Sequence, residues 1–575
     1  MEWTTEQQQV IDLRNRNILV SAAAGSGKTA VLVERIIARL TKDVDPIDVD
    51  ELLIVTFTEA AASEMKERVL LAIEKKLSEE PDNVHLQRQE ALIHNALITT
   101  IHSFCLSVIR EHFHVIDLDP VFRIGEEGEL KLLKKDVMDE LLEEEYEKKD
   151  PAFLRFVERY ATGRDDKKIE ELILQIYEFS RSYPNPSQWL KSCVDAYEVE
   201  SVEELVHSPA GRLVLENIRR YGEDAVALLE KAIELCEEPD GPYMYLDTLN
   251  EEKEGWIYFL AAEDFSQLFA RKKYAEGGKL KANRDKAVSK ELAEAVKDIR
   301  KQTKGLLTEI TKNYLYQSPE ELVKDMQIGK ETTAELVRLT EEFAAAFSEK
   351  KRNRNLIDFG DMEQLALQIL TEEREGELCP SAVAEEYQKR FQEIMIDEYQ
   401  DSNLIQEAIL TSVSKVSRGE YNIFMVGDVK QSIYSFRLSR PELFMDKYET
   451  YDLYDGVKQR IDLHKNFRSR PEVLDSTNYV FRQIMTKELG GISYDENAAL
   501  YFGAEYYKET KGNETEILIV DTDMKMESAE GVEETARELE ARAVASRIKN
   551  LMEHHLVTDK VTGELRNVQY KDIVI

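Results

Sequence analysis

Residues 22–29 read Ala-Ala-Ala-Gly-Ser-Gly-Lys-Thr, directly behind the apolar run NILVS at 17–21 and ahead of the helical pattern AVLVERIIARL. A glycine-bearing turn between a strand and a helix suits phosphate. Gly25 and Gly27 let the backbone come close, and the helix N-terminus offers amide donors. Lys28 reaches β- and γ-phosphates, and the Thr29 hydroxyl can ligate Mg²⁺. The usual GxxxxGK[ST] pattern has Gly where this chain has Ala22. The other half of a phosphoryl-transfer site is a carboxylate pair at a neighbouring strand end. Asp397 and Glu398 follow the apolar stretch EIMI, with Asp397 suited to the metal through water and Glu398 to polarising an attacking water. Acidic pairs are ordinary in a chain with 113 acidic residues; the position directly behind an apolar strand singles this one out.

Such residues need a sheet to hold them. Short apolar runs at 17–21, 52–56, 96–100, 393–397 and 422–428, each followed by a polar or Gly-bearing turn, predict buried strands of a parallel sheet. Ligands bind at the carboxyl ends of such strands. A long stretch of helical pattern, about 120 to 355, interrupts the series and reads as an insertion. After 450 the pattern changes, with candidate strands at 459–464, 516–521 and 572–575 and an acidic helix at 530–555 expected to pack on the last two. These predict a second α/β domain begun but not finished, a reading of the chain as truncated.

With 575 residues the chain is too long for one domain, and three or four are expected. At 33% charged and 42% hydrophobic it is neither disordered nor collagen-like. The net charge of −37 excludes a uniformly basic polyanion binder. It does not exclude a local basic groove: residues 271–304 carry twelve bases and five acids, whereas 126–150 carry eleven acids and five bases. The basic stretch reads either as a solvated helix face or as a nucleic-acid arm. Four scattered cysteines suggest neither disulfides nor a zinc site. A polar N-terminus and the absence of any long apolar run predict a cytoplasmic protein with no membrane partner.

Together these pieces resemble a known family. TFTEAAASEMKER at 56–68, TIHSF at 100–104, DEYQD at 397–401, GDVKQSIYSFR at 427–437 and KNFRS at 465–469 look like motifs Ia, Ic, II, III and IV of superfamily 1A helicases, in order. IDFGDM at 357–362 is like the segment preceding motif II, and WTTEQ at 3–7 is like a Q-motif. The resemblance implies an α/β fold: a RecA-like P-loop sheet (domain 1A, 1–119 and 356–450), a large helical insertion (1B, 120–355) and an incomplete second RecA-like domain (2A, 451–575).

It also implies roles. Ala22, Ala23, Ala24, Gly25, Ser26 and Gly27 would wrap the phosphates of ATP, Lys28 and Thr29 would hold phosphate and Mg²⁺, and Asp397 the Mg²⁺. Glu398 would be the base, Gln431 the γ-phosphate sensor and Arg468 a γ-phosphate contact. Gln7 would reach the adenine, with Phe467, where the family often has Tyr, stacked on it. Single-stranded DNA would meet Phe57, Thr58, His102, Tyr434, Phe436 and Arg437. Base stacking on such aromatics contributes about 1–3 kcal/mol per base.

The phosphate-loop and motif Ia regions are most similar to the AddA (RexA) family of helicase–nuclease subunits. In that family the long 1B region carries an arm against duplex DNA, which would make Lys279, Lys281, Arg284 and Lys286 duplex contacts. The family implies 3′–5′ translocation, double-strand-break resection and a partner of the AddB (RexB) type. Motifs V and VI and a nuclease motif are not among these residues, so weak nucleotide binding and little hydrolysis are expected. Two rival readings are a stand-alone repair helicase of the UvrD, Rep or PcrA type and a non-catalytic DNA-end binding module.

Overall fold

The computed structural model describes residues 3–41, 46–161, 165–507, 512–521, 535–559 and 562–575. It divides into two compact units, Met1–Ile124 with Ile357–Ile575, and Gly125–Leu356.

The first unit is built on a six-stranded sheet. Its strands are β1 (Asn17–Ala22), β2 (Leu52–Thr56), β3 (Leu97–Thr100), β4 (Glu393–Ile396), β5 (Ile423–Gly427) and β6 (Lys458–Leu463), in the order β6-β1-β5-β4-β2-β3. Every neighbouring pair is parallel. Parallel strands buried on both faces need apolar side chains on both. Leu19, Leu53, Ile394 and Met425 point into one core with helix α4 (Ile101–His112) and helix Phe359–Leu370. Ile18, Val20, Ile54, Met395 and Phe424 point into the other, with α1 (Thr5–Asp12), α2 (Lys28–Thr41) and α3 (Glu59–Glu79).

The five runs expected as strands before residue 450 all lie in this sheet. The later ones differ. QRIDLH at 459–464, expected in a second domain, supplies the edge strand β6 beside β1. Residues 516–521 form no strand; Ile517 and Ile519 are 86% and 91% exposed. At 572–575 a single turn, Tyr570–Asp572, is followed by unpaired chain with Val574 and Ile575 exposed. An apolar run becomes a strand only where a neighbouring edge takes its backbone hydrogen bonds, and neither run has one among the described residues. The helix expected between them is present as Ala536–His554 with Leu539 buried. It finds no strands there to pack on, although Arg547 on it pairs with Glu516 at 2.6 Å, and its residues 530–534 lie outside the described ones.

The second unit is helical, with α5 (Glu127–Lys148), α6 (Pro209–Glu237), α7 (Leu246–Leu260), α8 (Lys290–Asn313) and α9 (Pro319–Asn353) its longest elements. It has two cores. One gathers Ile218, Leu229, Trp256, Phe259, Val296 and Ile310 from α6, α7 and α8. The other gathers Leu133, Val137, Phe343 and Phe347 from α5 and α9. Helix α9 serves both, since Val323 near its start belongs to the first core. Its start is fixed by Pro319 and by a capping box between Ser318 and Glu321. No helix among the described residues is long and apolar enough to cross a membrane.

Candidate functional site

The loop after β1 is shaped by two glycines with positive φ, Gly25 at 74° and Gly27 at 83°, a conformation that side chains with a Cβ resist. It is held from far along the chain. Asn466 Nδ2 donates to the Ala24 carbonyl at 2.6 Å, Phe467 N–H to the Gly25 carbonyl at 2.8 Å, and Ala23 N–H to the Leu463 carbonyl at 3.2 Å. A Cβ on Gly25 would stand 2.6 Å from Asn466 Nδ2, so Gly25 also makes room for this tether. The loop delivers Lys28 and Thr29 as the first residues of α2.

On β4, Asp397 continues the ladder by donating its N–H to the Val55 carbonyl at 2.9 Å. Glu398 then takes a left-handed backbone, φ 53°, which costs energy for a residue with a side chain. The turn aims its carboxylate at Lys28, with Nζ and Oε2 3.2 Å apart. Burial pushes the Asp397 carboxyl up to about 6, helped by the charge of Glu398 and opposed by Lys28. Asp401 is pushed up to about 6 for the same reasons. At the end of β5, Asp428 receives Gln431 Nε2 at 2.8 Å and Lys430 Nζ at 2.9 Å. Thr29, Asp397, Glu398 and Gln431 thus line one cleft of about 570 Å³, together with Phe57, Thr58 and Tyr434. Asp401 lines it too, and its Oδ1 is buried without a hydrogen-bond partner among the described residues.

The aromatic residues behind these strand ends meet. Phe57 and Tyr434 have ring centroids 4.4 Å apart at 36°, and Phe436 lies 5.7 Å from Tyr434. The Arg437 guanidinium is 5.4, 5.3 and 5.8 Å from the Phe57, Tyr434 and Phe436 centroids. Neither Phe57 nor Phe436 is a core residue: the first is half-buried and the second 74% exposed. Thr58 caps α3, its hydroxyl accepting the Ala61 N–H at 3.1 Å. His102 is half-buried, with Nε2 3.4 Å from Glu363 Oε1 and its ring edge-on to Phe359.

A second cleft of about 450 Å³ is lined by Gln7, Ser26, Phe467, Tyr501 and Phe502 among others. Sequence reasoning missed Tyr501 and Phe502. They arrive because Tyr501–Phe502 pairs with Lys465–Asn466, and the aromatic pair was the available signal. Gly503 leaves space for the Phe467 ring, which a Cβ would approach to 2.9 Å. Gln7 lines this cleft with both ends engaged: Oε1 accepts the Thr4 N–H at 3.0 Å and Nε2 donates to the Ser26 carbonyl at 3.0 Å. It therefore holds the loop, and its second N–H and second oxygen lone pair are left over for a ligand in the cleft. Arg468 is exposed beside Phe467.

In the helical unit the basic stretch splits. Arg300 on α8 is largely buried, bidentate on Glu252 with Nε at 2.9 Å from both oxygens, and also reaches the Gly278 carbonyl. Lys272 donates to the Leu315 carbonyl at 3.0 Å. Lys279, Lys281, Arg284 and Lys286 are exposed on the irregular segment before α8, with Lys281 paired to Asp247 at 2.7 Å. The stretch is thus part scaffold and part exposed loop.

Residues 3–452 match the family model described as "UvrD/REP helicase N-terminal domain". Among curated relatives, the chain is 47% identical over its whole length to an ATP-dependent helicase/nuclease subunit of Lachnoclostridium phytofermentans, covering 44% of that protein. Proteins of the same description from Clostridium beijerinckii and Bacillus licheniformis are 41% and 42% identical over the whole chain, which covers 48% and 47% of them. The chain spans about half the length of these relatives.

Proposed function

The chain belongs to the UvrD/REP helicase family, and on that premise we propose that it is the ATP-driven 3′–5′ motor portion of an AddA-type helicase–nuclease that processes DNA double-strand breaks. The observation that carries this reading is the single cleft where Thr29, Asp397, Glu398 and Gln431 meet Phe57, Thr58 and Tyr434. Nucleotide chemistry and strand stacking would then share one wall.

In this reading 1–119 and 356–450, together with the edge strand β6, form domain 1A, 120–355 domain 1B, and the residues after β6 the start of domain 2A. Lys28 and the amides of the loop bind the phosphates of ATP. Phe467, with Tyr501 and Phe502, takes the adenine, and Arg468 meets the γ-phosphate. Glu398 accepts a proton from water as the water oxygen attacks the γ-phosphorus and the bond to the β–γ bridging oxygen breaks. Gln431 senses whether that phosphate is present. Thr29 and Asp397 would hold Mg²⁺, which would supply positive charge to the transferred phosphate.

Phe57, Tyr434, Phe436 and Arg437 stack on and pair with single-stranded DNA, with Thr58 and His102 beside the strand. Lys279, Lys281, Arg284 and Lys286 touch duplex. A protein of the AddB (RexB) type is the partner, and the cytoplasm is the setting.

The test is binding of Mg²⁺–nucleotide and of fluorescent oligo-dT to this chain. Nucleotide should change oligo-dT affinity, and Lys28→Ala should abolish both nucleotide binding and that change. Nucleotide binding unaffected by Lys28→Ala would overturn the placement of the site.

A further inference from the structure

We propose that Gln400 is a positioning residue that ties the base Glu398 to the loop 428–437, so that a DNA strand on Tyr434 and Phe57 sets the carboxylate for hydrolysis. This rests on the motor reading above and names the link inside it.

Gln400 is fully buried at 1% exposure, and both ends of its carboxamide are engaged. Nε2 donates to Glu398 Oε2 at 2.9 Å and lies 3.3 Å from Asp401 Oδ2, while Oε1 accepts the Asp428 N–H at 3.0 Å. The Glu398 oxygen it holds is the one that meets Lys28. Asp428 in turn holds Gln431 and Lys430, and Tyr434 follows three residues after Gln431. A continuous path therefore runs from Lys28 through Glu398, Gln400 and Asp428 to Gln431.

A second observation supports the path independently. A Cβ on Gly427 would overlap the Gln400 carboxamide oxygen and stand 3.2 Å from the Tyr399 nitrogen. The last residue of β5 is thus shaped around Gln400. The link also explains the left-handed backbone of Glu398, since the turn places base and carboxamide side by side. A carboxamide suits the position because it donates at one end and accepts at the other. A carboxylate there would lose the donor and face Glu398 and Asp401.

The experiment is steady-state ATP hydrolysis by the full-length enzyme, with and without oligo-dT, for Gln400→Glu, Gln400→Leu and Gly427→Ala. The DNA-stimulated kcat should fall about 10- to 100-fold, as for other groups that orient a reacting residue. The stimulation ratio should collapse toward one, with KM for ATP and oligo-dT affinity within about two-fold of wild type in at least one variant. Equal loss with and without DNA, or an unchanged ratio in all three variants, would overturn the role of Gln400 while leaving the motor reading intact. A wild-type enzyme without DNA stimulation would overturn the motor reading, and this inference with it.

Discussion

In the sheet unit, Lys28, Asp397, Glu398 and Gln431 stand at strand ends, the last three around one cleft and Lys28 on the Glu398 carboxylate. In the helical unit, Arg300 is held under the surface by Glu252 while Lys279, Arg284 and Lys286 face outward. Both groups stand out along the chain by charge and polarity, but position means different things in the two units. A parallel strand has one end that faces a ligand, so a charge there has its direction set by the fold. A charge on a helix or irregular segment can turn inward or outward. Only its partner decides, and the summed charge of a window does not record that partner.

The largest effect should come from breaking the inward charge. Arg300→Ala leaves Glu252 buried without its cation and frees the Gly278 carbonyl, a loss of about 3–5 kcal/mol. Denaturant unfolding of the helical unit should register it. A loss under about 1 kcal/mol, the range of exposed pairs, would make Arg300 one more surface base and erase the contrast with its exposed neighbours.

A smaller effect of opposite sign is expected at the sheet. The Asp397 carboxyl, pushed up to about 6, binds a proton in the folded chain where the unfolded chain has lost it. Stability therefore falls as the pH rises from the ordinary carboxylate range to about 6. Asp397→Asn should stabilise the nucleotide-free protein by on the order of 2 kcal/mol at pH 7.5 and flatten part of that slope, while ending hydrolysis. Asp401 retains the remainder of the slope. Melting curves at pH 4.5 and 7.5 decide it, and a destabilised Asn variant would show that the charged form is well accommodated.

The smallest effect on stability should come from reversing Lys279, Arg284 and Lys286 together, which should stay within about 0.5 kcal/mol. Duplex affinity should nevertheless fall and its salt dependence flatten. Titrations at two salt concentrations that coincide with wild type would return the segment to a solvated surface.

The sheet was legible because strands buried on both faces carry unbroken apolar runs, such as LLIV in 52–56 and IMI in 393–396. The same rule misled at 516–521, where the composition of a strand is present without an edge to join. Within the candidate site, Lys28, Thr29, Asp397 and Glu398 were legible because a glycine-bearing strand-to-helix turn and a strand-end acid pair leave local marks. Gln400, Gly427, Asn466, Tyr501 and Phe502 were not, because their roles are relations. Asn466 matters through a loop more than four hundred residues earlier, and Gly427 through the volume of one carboxamide. Gln7 lines a cleft beside the loop, but its bonds to Thr4 and Ser26 could only be seen in three dimensions.

The strand order has a consequence for how the chain comes into being. β1 lies between β6 and β5, so the first of the six strands to be made acquires no sheet neighbour until residues 423–427 leave the ribosome. That delay is roughly 20 to 80 s at about 5–20 residues per second. The helical unit, with its own two cores, emerges during the wait and can become compact before the sheet closes. The strand that leads into the Gly25–Gly27 loop is thus the earliest synthesised of the six and among the last secured, and its exposed apolar edge is the segment a chaperone would have most reason to hold.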